Sequence, residues 1–142
     1  MITDRKHLSK KVQDERDLRM NVSEQDLKRI LRDFNARYHA SFSAVVSRSG
    51  VPIAWELPPD VNVENVAMLS ATILGASEVI YSGMKANRPL RVFVESETST
   101  LIATGIGERS LLVAMVSGKA DGVITGLEAA TNSIRNVLRG QG

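Results

Sequence analysis

Apolar residues first become periodic in the stretch after residue 22. Leu27, Ile30, Leu31, Phe34 and Tyr38 fall at the 3, 4, 7 and 11 spacing of one helical face, while Lys28, Arg29, Arg32, Asp33 and Arg37 take the other. Ser23, with Asp26 three residues on, makes a capping-box-like start, so the spacing predicts a helix from about Ser23. From Phe42 to Glu56 the pattern changes. Ala44-Val45-Val46 reads as a strand, Arg48-Ser49-Gly50 as a turn and Val51-Pro52-Ile53-Ala54-Trp55 as a second strand. Pro52 has no amide hydrogen, which puts that strand at a sheet edge.

A longer helix is predicted over about 63–84, capped by Asn62 or Asp60. Ala67, Ala71 and Gly75 fall four apart on it and form a stripe of small residues. Val66, Met68, Leu69, Ile73, Leu74, Val79 and Ile80 spread apolar surface around much of its circumference. One face can cover a sheet, and the remainder suggests an interface. Gly75 in mid-helix costs about 1 kcal/mol against alanine, which calls for a packing reason. After Asn87-Arg88-Pro89 come three strand-like runs: Leu90–Glu95, Thr100–Thr104 and Leu111–Val116. In the first, Leu90, Val92 and Val94 alternate with Arg91, Phe93 and Glu95, a half-buried pattern. Short connections make neighbouring strands antiparallel. A last helix is expected over about 121–139, capped by Asp121 and stopped by Gly140. The order is α-β-β-α-β-β-β-α: an α+β layered domain, with a five-stranded antiparallel sheet and helices covering its faces.

Composition adds boundaries. A chain of 142 residues favours one domain with a sizeable core. Residues 1–21 form a charged leader, leaving 22–142 as the domain. The leader carries Arg5, Lys6, Lys10, Lys11, Arg16 and Arg19 against Asp4, Asp14, Glu15 and Asp17. It lacks the apolar stretch of a signal peptide. No run is expected to span a bilayer, so direct membrane insertion is not expected and the location is expected to be cytoplasmic. A net charge of +2, without a long basic block, does not point to nucleic acid. There is no cysteine, which removes disulfides and thiolate metal sites and fits a reducing compartment.

The search for chemistry yields little. Ser117-Gly118-Lys119-Ala120 stands where a phosphate loop would. However, Val113 replaces the leading glycine and Ala120 the magnesium-binding hydroxyl. His7 and His39 have no carboxylate or second histidine at ligand spacing, so neither a metal site nor a cofactor is expected. Glu95 and Glu97 read as a solvated strand end, and Trp55 as a core or interface residue. Arg48, Arg88 and Arg109 sit at turns as exposed candidates for an arginine finger, although each also reads as plain surface.

The chain resembles the roadblock/dynein light chain family over about residues 23–139. The likeness rests on the element order, the hairpin from Val45 to Ala54, the small-residue helix from Ala67 to Ser77, and the strand series with Ile106-Gly107-Glu108-Arg109-Ser110-Leu111-Leu112-Val113. Ser49 stands where members often carry Asp before the turn glycine, and serine is also a turn residue. The resemblance implies homo- or heterodimers whose sheets join edge to edge near Leu90–Glu95, with the second helices side by side. It therefore implies an interface that includes Ala67, Ala71, Gly75, Leu90, Val92 and Val94. Paired helices would then present a platform for a small Ras-like GTPase, as in prokaryotic relatives. Such a regulator acts on the GTPase's own catalytic groups and has no active site itself. The alternative is a scaffold subunit of a motor- or membrane-associated assembly, with no effect on GTP hydrolysis. A third reading, a small-molecule sensor or enzyme with a pocket between sheet and helix, is disfavoured because the sheet-facing positions are almost all aliphatic.

Overall fold

The computed structural model describes residues 22–140. The charged leader lies outside the described residues. Helix α1 covers 22–38, followed by β1 (Ala40–Ser47), β2 (Pro52–Glu56), α2 (Val63–Gly83), β3 (Arg91–Glu95), β4 (Ser99–Ile106) and β5 (Ser110–Ser117). A single 3-10 turn (Ala120–Gly122) leads into α3 (Ile124–Arg139). The strands form one sheet in the order β2-β1-β5-β4-β3, with every pair antiparallel. This is the α+β arrangement expected from the sequence.

The alternation along each strand divides the core in two. Val45, Ile102, Leu112, Ala114 and Val116 point to one face, where they pack with Leu27, Leu31 and Phe34 of α1 and Leu127 and Ile134 of α3. Ala44, Val46, Ala103, Leu111 and Val113 point to the other, where α2 supplies Ala67 and Leu74. The central strands β1 and β5 are therefore apolar on both sides. Burial of one large aliphatic side chain contributes about 1.5–3 kcal/mol, so this double-sided centre is the main stabilising mass.

Several local expectations are corrected. Helix α1 already includes Val22, so Ser23 is inside it rather than at its cap. Asn62, not Asp60, caps α2: its side chain accepts from the Asn65 amide at 2.9 Å. Asp121 caps nothing, because it falls within the 3-10 turn and Val123 takes the N-cap of α3 without a side-chain bond. Gly140 ends α3 in a right-handed conformation (φ −65°), so its left-handed freedom is not what stops the helix. Pro52 opens an edge strand, and the β1–β2 register slips beside it between Val45 and Val46.

Gly50 is required twice. Its φ is +89°, and a Cβ there would sit 3.2 Å from the Cα of Met68, so the hairpin turn lies directly against α2. The change Gly50→Ala is expected to cost about 2 kcal/mol from backbone strain alone. Urea unfolding would show this as a lower midpoint at unchanged slope, and an unchanged midpoint would contradict the close approach.

Candidate interaction surface

The two sides of α2 have different roles. Ala67 is 0% exposed and packs onto Ala44, Val46, Leu111 and Val113 of its own sheet. Ser70 and Leu74 are buried beside it, and Ala71 is half-buried against the same cluster. Small side chains here let the helix axis approach the sheet, a packing reason that lies within the chain. A second chain cannot reach Ala67, so the small-residue stripe does not act as one continuous outer seam. Gly75 differs, because a Cβ there would meet nothing within 4 Å.

Away from the sheet, α2 exposes Met68, Leu69, Val79, Ile80 and, just beyond its end, Met84. The helix follows one edge strand, β2, precedes the opposite edge strand, β3, and touches β1, β2, β3 and β4. It therefore crosses the sheet and ends beside β3. There the apolar surface continues on the same face, with Leu90 73% and Val94 47% exposed and Val92 half-buried against the α2-side core, while Phe93, 41% exposed, faces the other side of the sheet. Continuous apolar surface running from a helix onto an edge strand is a signature of protein contact. By length and composition α2 also meets the requirements of a membrane span, contrary to the sequence expectation. For α2 to serve as a span, it would have to leave the sheet and expose Ala44, Val46, Leu111 and Val113.

Of the three candidate arginines, two are engaged. Arg48 is half-buried: its Nε donates to the Ser110 carbonyl at 3.0 Å and its Nη2 to the Gly107 carbonyl at 3.1 Å. Its Nη1 pairs with Glu78 of α2, whose other oxygen takes Arg88 Nε. One guanidinium thus ties the β1–β2 turn, the β4–β5 turn and α2 together, and Glu78 adds the segment before β3. Gly105 leaves room for this guanidinium, since a Cβ there would lie 2.5 Å from Arg48 Nη2. Arg109 is exposed. Neither Arg48 nor Arg88 is free to act as a finger in this conformation.

Other candidates occupy ordinary positions. The Gly118 amide donates to the Thr98 carbonyl, so it is already used by the turn that resembles a phosphate loop. His39 is exposed at the end of α1 with φ +53°. Trp55 lies on edge strand β2 with the Lys28 ammonium 5.9 Å from its ring centre. Glu95 and Glu97 are both exposed. Among the described residues no group of three His, Cys, Asp or Glu is placed to hold a metal ion. A shallow cleft of about 300 Å³ lies between α3 and β3–β4, lined in part by Arg91, Thr104, Glu128, Thr131, Asn132 and Arg135. Its polar lining departs from the expectation that sheet-facing positions are almost all aliphatic. The alternation in β3 was the signal, because its odd positions, Arg91, Phe93 and Glu95, face the α3 side.

This sheet, with two helices on one face and one on the other, matches a known domain class. The Roadblock/LC7 domain matches residues 26–116, and the chain belongs to that family. Among solved structures it is similar to Myxococcus xanthus MglB, at 16% identity and a TM-score of 0.77, covering 83% of this chain and 91% of that one. It is also similar to the gliding protein MglB of Thermus thermophilus, at 15% identity and a TM-score of 0.73, covering 83% and 92%. A Roadblock/LC7 domain from Streptomyces avermitilis gives 18% identity and a TM-score of 0.71, covering 79% and 97%. One MglB structure in this group is described as a tetrameric arrangement. No curated protein sequence matches significantly.

The Arg48 clamp gives a contrast that can be measured. Arg48→Ala is expected to cost about 2 kcal/mol, since charge-assisted bonds to three partners are lost. Arg48→Lys should recover only part of this, because an ammonium cannot reproduce the fork. Arg109→Ala should stay within about 0.5 kcal/mol. Denaturant unfolding of the three variants tests the ranking, and equal effects at Arg48 and Arg109 would refute the clamp.

Proposed function

We propose that this protein is a homodimeric docking module that binds a small Ras-like GTPase and regulates it without an active site of its own. The observation that carries this reading is the apolar surface running from Met68 and Leu69, through Val79, Ile80 and Met84, onto Leu90 and Val94. It is too extensive for a chain that works alone, and it lies on a helix and an edge strand, where two copies can join and still leave a face for a partner. Family membership supports the reading, and regulation through the GTPase's own groups requires none of the arginines held in the clamp. In this reading the module acts in the cytoplasm, with α2 on its sheet rather than in a bilayer, and takes neither cofactor nor nucleic acid.

The scaffold reading shares the same surface, so a rate separates the two. The protein is mixed with GTP-loaded small Ras-like GTPases from the same genome, and co-elution and phosphate release are followed together. Co-elution with faster release is expected. Co-elution at an unchanged rate would make the protein a passive adaptor, and no binding to any GTPase would overturn the proposal.

The dimer has its own test. Gly75→Leu finds open space in the single chain, so its fold is expected to survive. If Gly75 lies in the helix seam, light scattering should report monomers with an unchanged helical spectrum. An intact dimer at micromolar concentration would remove Gly75 from the seam.

A further inference from the structure

The docking surface lies on the α2 side of the sheet and does not use the polar cleft between α3 and β3–β4 on the opposite side. That cleft is built from two elements. Arg91 and Thr104 are cross-strand partners in β3 and β4, so their side chains rise from the same face of the sheet. On α3, Glu128, Thr131, Asn132 and Arg135 fall at the 3, 4 and 7 spacing of one helical side, and all four line the cleft.

A helix on a sheet ordinarily seals the join with apolar side chains. Here the join holds a guanidinium whose best donors have no good acceptor. Arg91 is mostly buried, with 18% of its side chain exposed. Its Nε–H is out of contact with solvent and has no hydrogen-bond partner. The neighbouring Nη2 is 3.7 Å from a Glu128 oxygen, too far for a hydrogen bond. Nε and Nη2 form one edge of the guanidinium, and such an edge can grip two oxygens side by side. A buried donor without a partner is costly, and native interiors rarely keep one without a reason.

Arg135 supplies a second cation from the helix wall. Its Nη1 donates to Asn132 Oδ1 at 3.2 Å, which orients the side chain and uses only part of its fork. The ion pairs among the described residues give Arg135 no carboxylate. Glu128 is the one acid lining the cleft, so two arginines against one glutamate leave it positively charged. Arg135 also lines an adjoining depression with Arg109, Arg139 and Glu108, which extends the positive potential.

We propose that this cleft binds the phosphate group of a small phosphorylated molecule. Arg91 takes two oxygens through Nε and Nη2, and Arg135 takes a third from the α3 wall. A carboxylate has only two oxygens, which one arginine fork uses up. A phosphate presents its oxygens in tetrahedral directions and meets both walls. A volume of about 300 Å³ exceeds that of the phosphate alone and leaves room for a compact organic group. Glu128 is the gate. Its side chain is 61% exposed and free to swing outward, and the phosphate replaces it beside Arg91. Two like charges do not share one guanidinium edge, so binding and displacement are the same event. None of these residues belongs to the apolar surface on α2, so the inference stands apart from the docking reading.

The test follows the arginine side-chain N–H signals of the intact chain by NMR while inorganic phosphate is added at constant ionic strength. A saturable movement of the Arg91 Nε–H signal is expected, with millimolar affinity, because this donor gains a charged acceptor. No saturable movement at Arg91, or an equal movement at exposed Arg37, would overturn the site. Acetate under the same conditions is expected to bind about tenfold more weakly or worse. Equal binding of acetate would overturn the phosphate assignment. Glycerol phosphate is expected to bind at least as tightly as inorganic phosphate, and its exclusion would overturn the small-molecule ligand.

Two variants should move the affinity in opposite directions. Arg91→Lys keeps the charge and loses the fork, so phosphate binding should weaken about tenfold, read by calorimetry. Glu128→Gln keeps the shape and removes the competing charge, so binding should tighten about threefold or more. A gain of affinity does not arise from a damaged fold, so Glu128→Gln decides the matter where Arg91→Lys fails to fold. Unchanged or weaker binding in Glu128→Gln would refute the displacement on which the site depends.

Discussion

The constraint behind the whole molecule is a mismatch of widths. Five strands about 4.8 Å apart make a sheet roughly 20 Å wide, whereas a helix with its side chains is about 10 Å across. Helices α1 and α3 share one face, with a cleft beside β3. α2 alone must cover the other face. It does so by crossing from the β2 edge to the β3 edge, pressing Ala67 and Leu74 onto the centre. A crossing helix shields the middle and leaves its flanks apolar and exposed. The exposed apolar surface follows from this geometry and needs no separate device.

Such a helix must also be held in place. Hydrophobic contact is non-directional and does not by itself fix the angle of a helix on a sheet. Two polar devices do that. Asn62 sets where α2 begins, and the Arg48–Glu78–Arg88 network anchors its later turns to both hairpin turns and to the segment before β3. The close approach of Gly50 to Met68 adds a steric reference near the start. The outer face of α2 is thereby presented as a firm platform.

The architecture was legible in the sequence because periodicity reports one-chain burial. The 3, 4, 7, 11 series from Leu27 and the alternation from Leu90 to Glu95 each led to the right element. Where reading failed, a local signal had more than one physical cause. Asp121 is a good cap residue, but a 3-10 turn took it. Ala67 and Ala71 are small because the helix must approach its own sheet, and a seam between two chains would ask for the same residues. Arg48 looked like a surface arginine because its partners, Glu78, Gly107 and Ser110, are 30 to 62 positions away in sequence. Exposed Phe93 and the outward amides of β3 became visible only once the strand order put β3 at the edge.

The unequal edges bear on how far association can proceed. A sheet that is sticky on both sides invites head-to-tail growth into filaments, since each added copy offers a fresh end. Here one edge is regular, whereas the other begins with Pro52 and a slipped register. Any addition of a further strand is confined by this to the β3 side, because the β2 edge is blunted. A sheet open at one edge offers no second end for head-to-tail growth into a fibre.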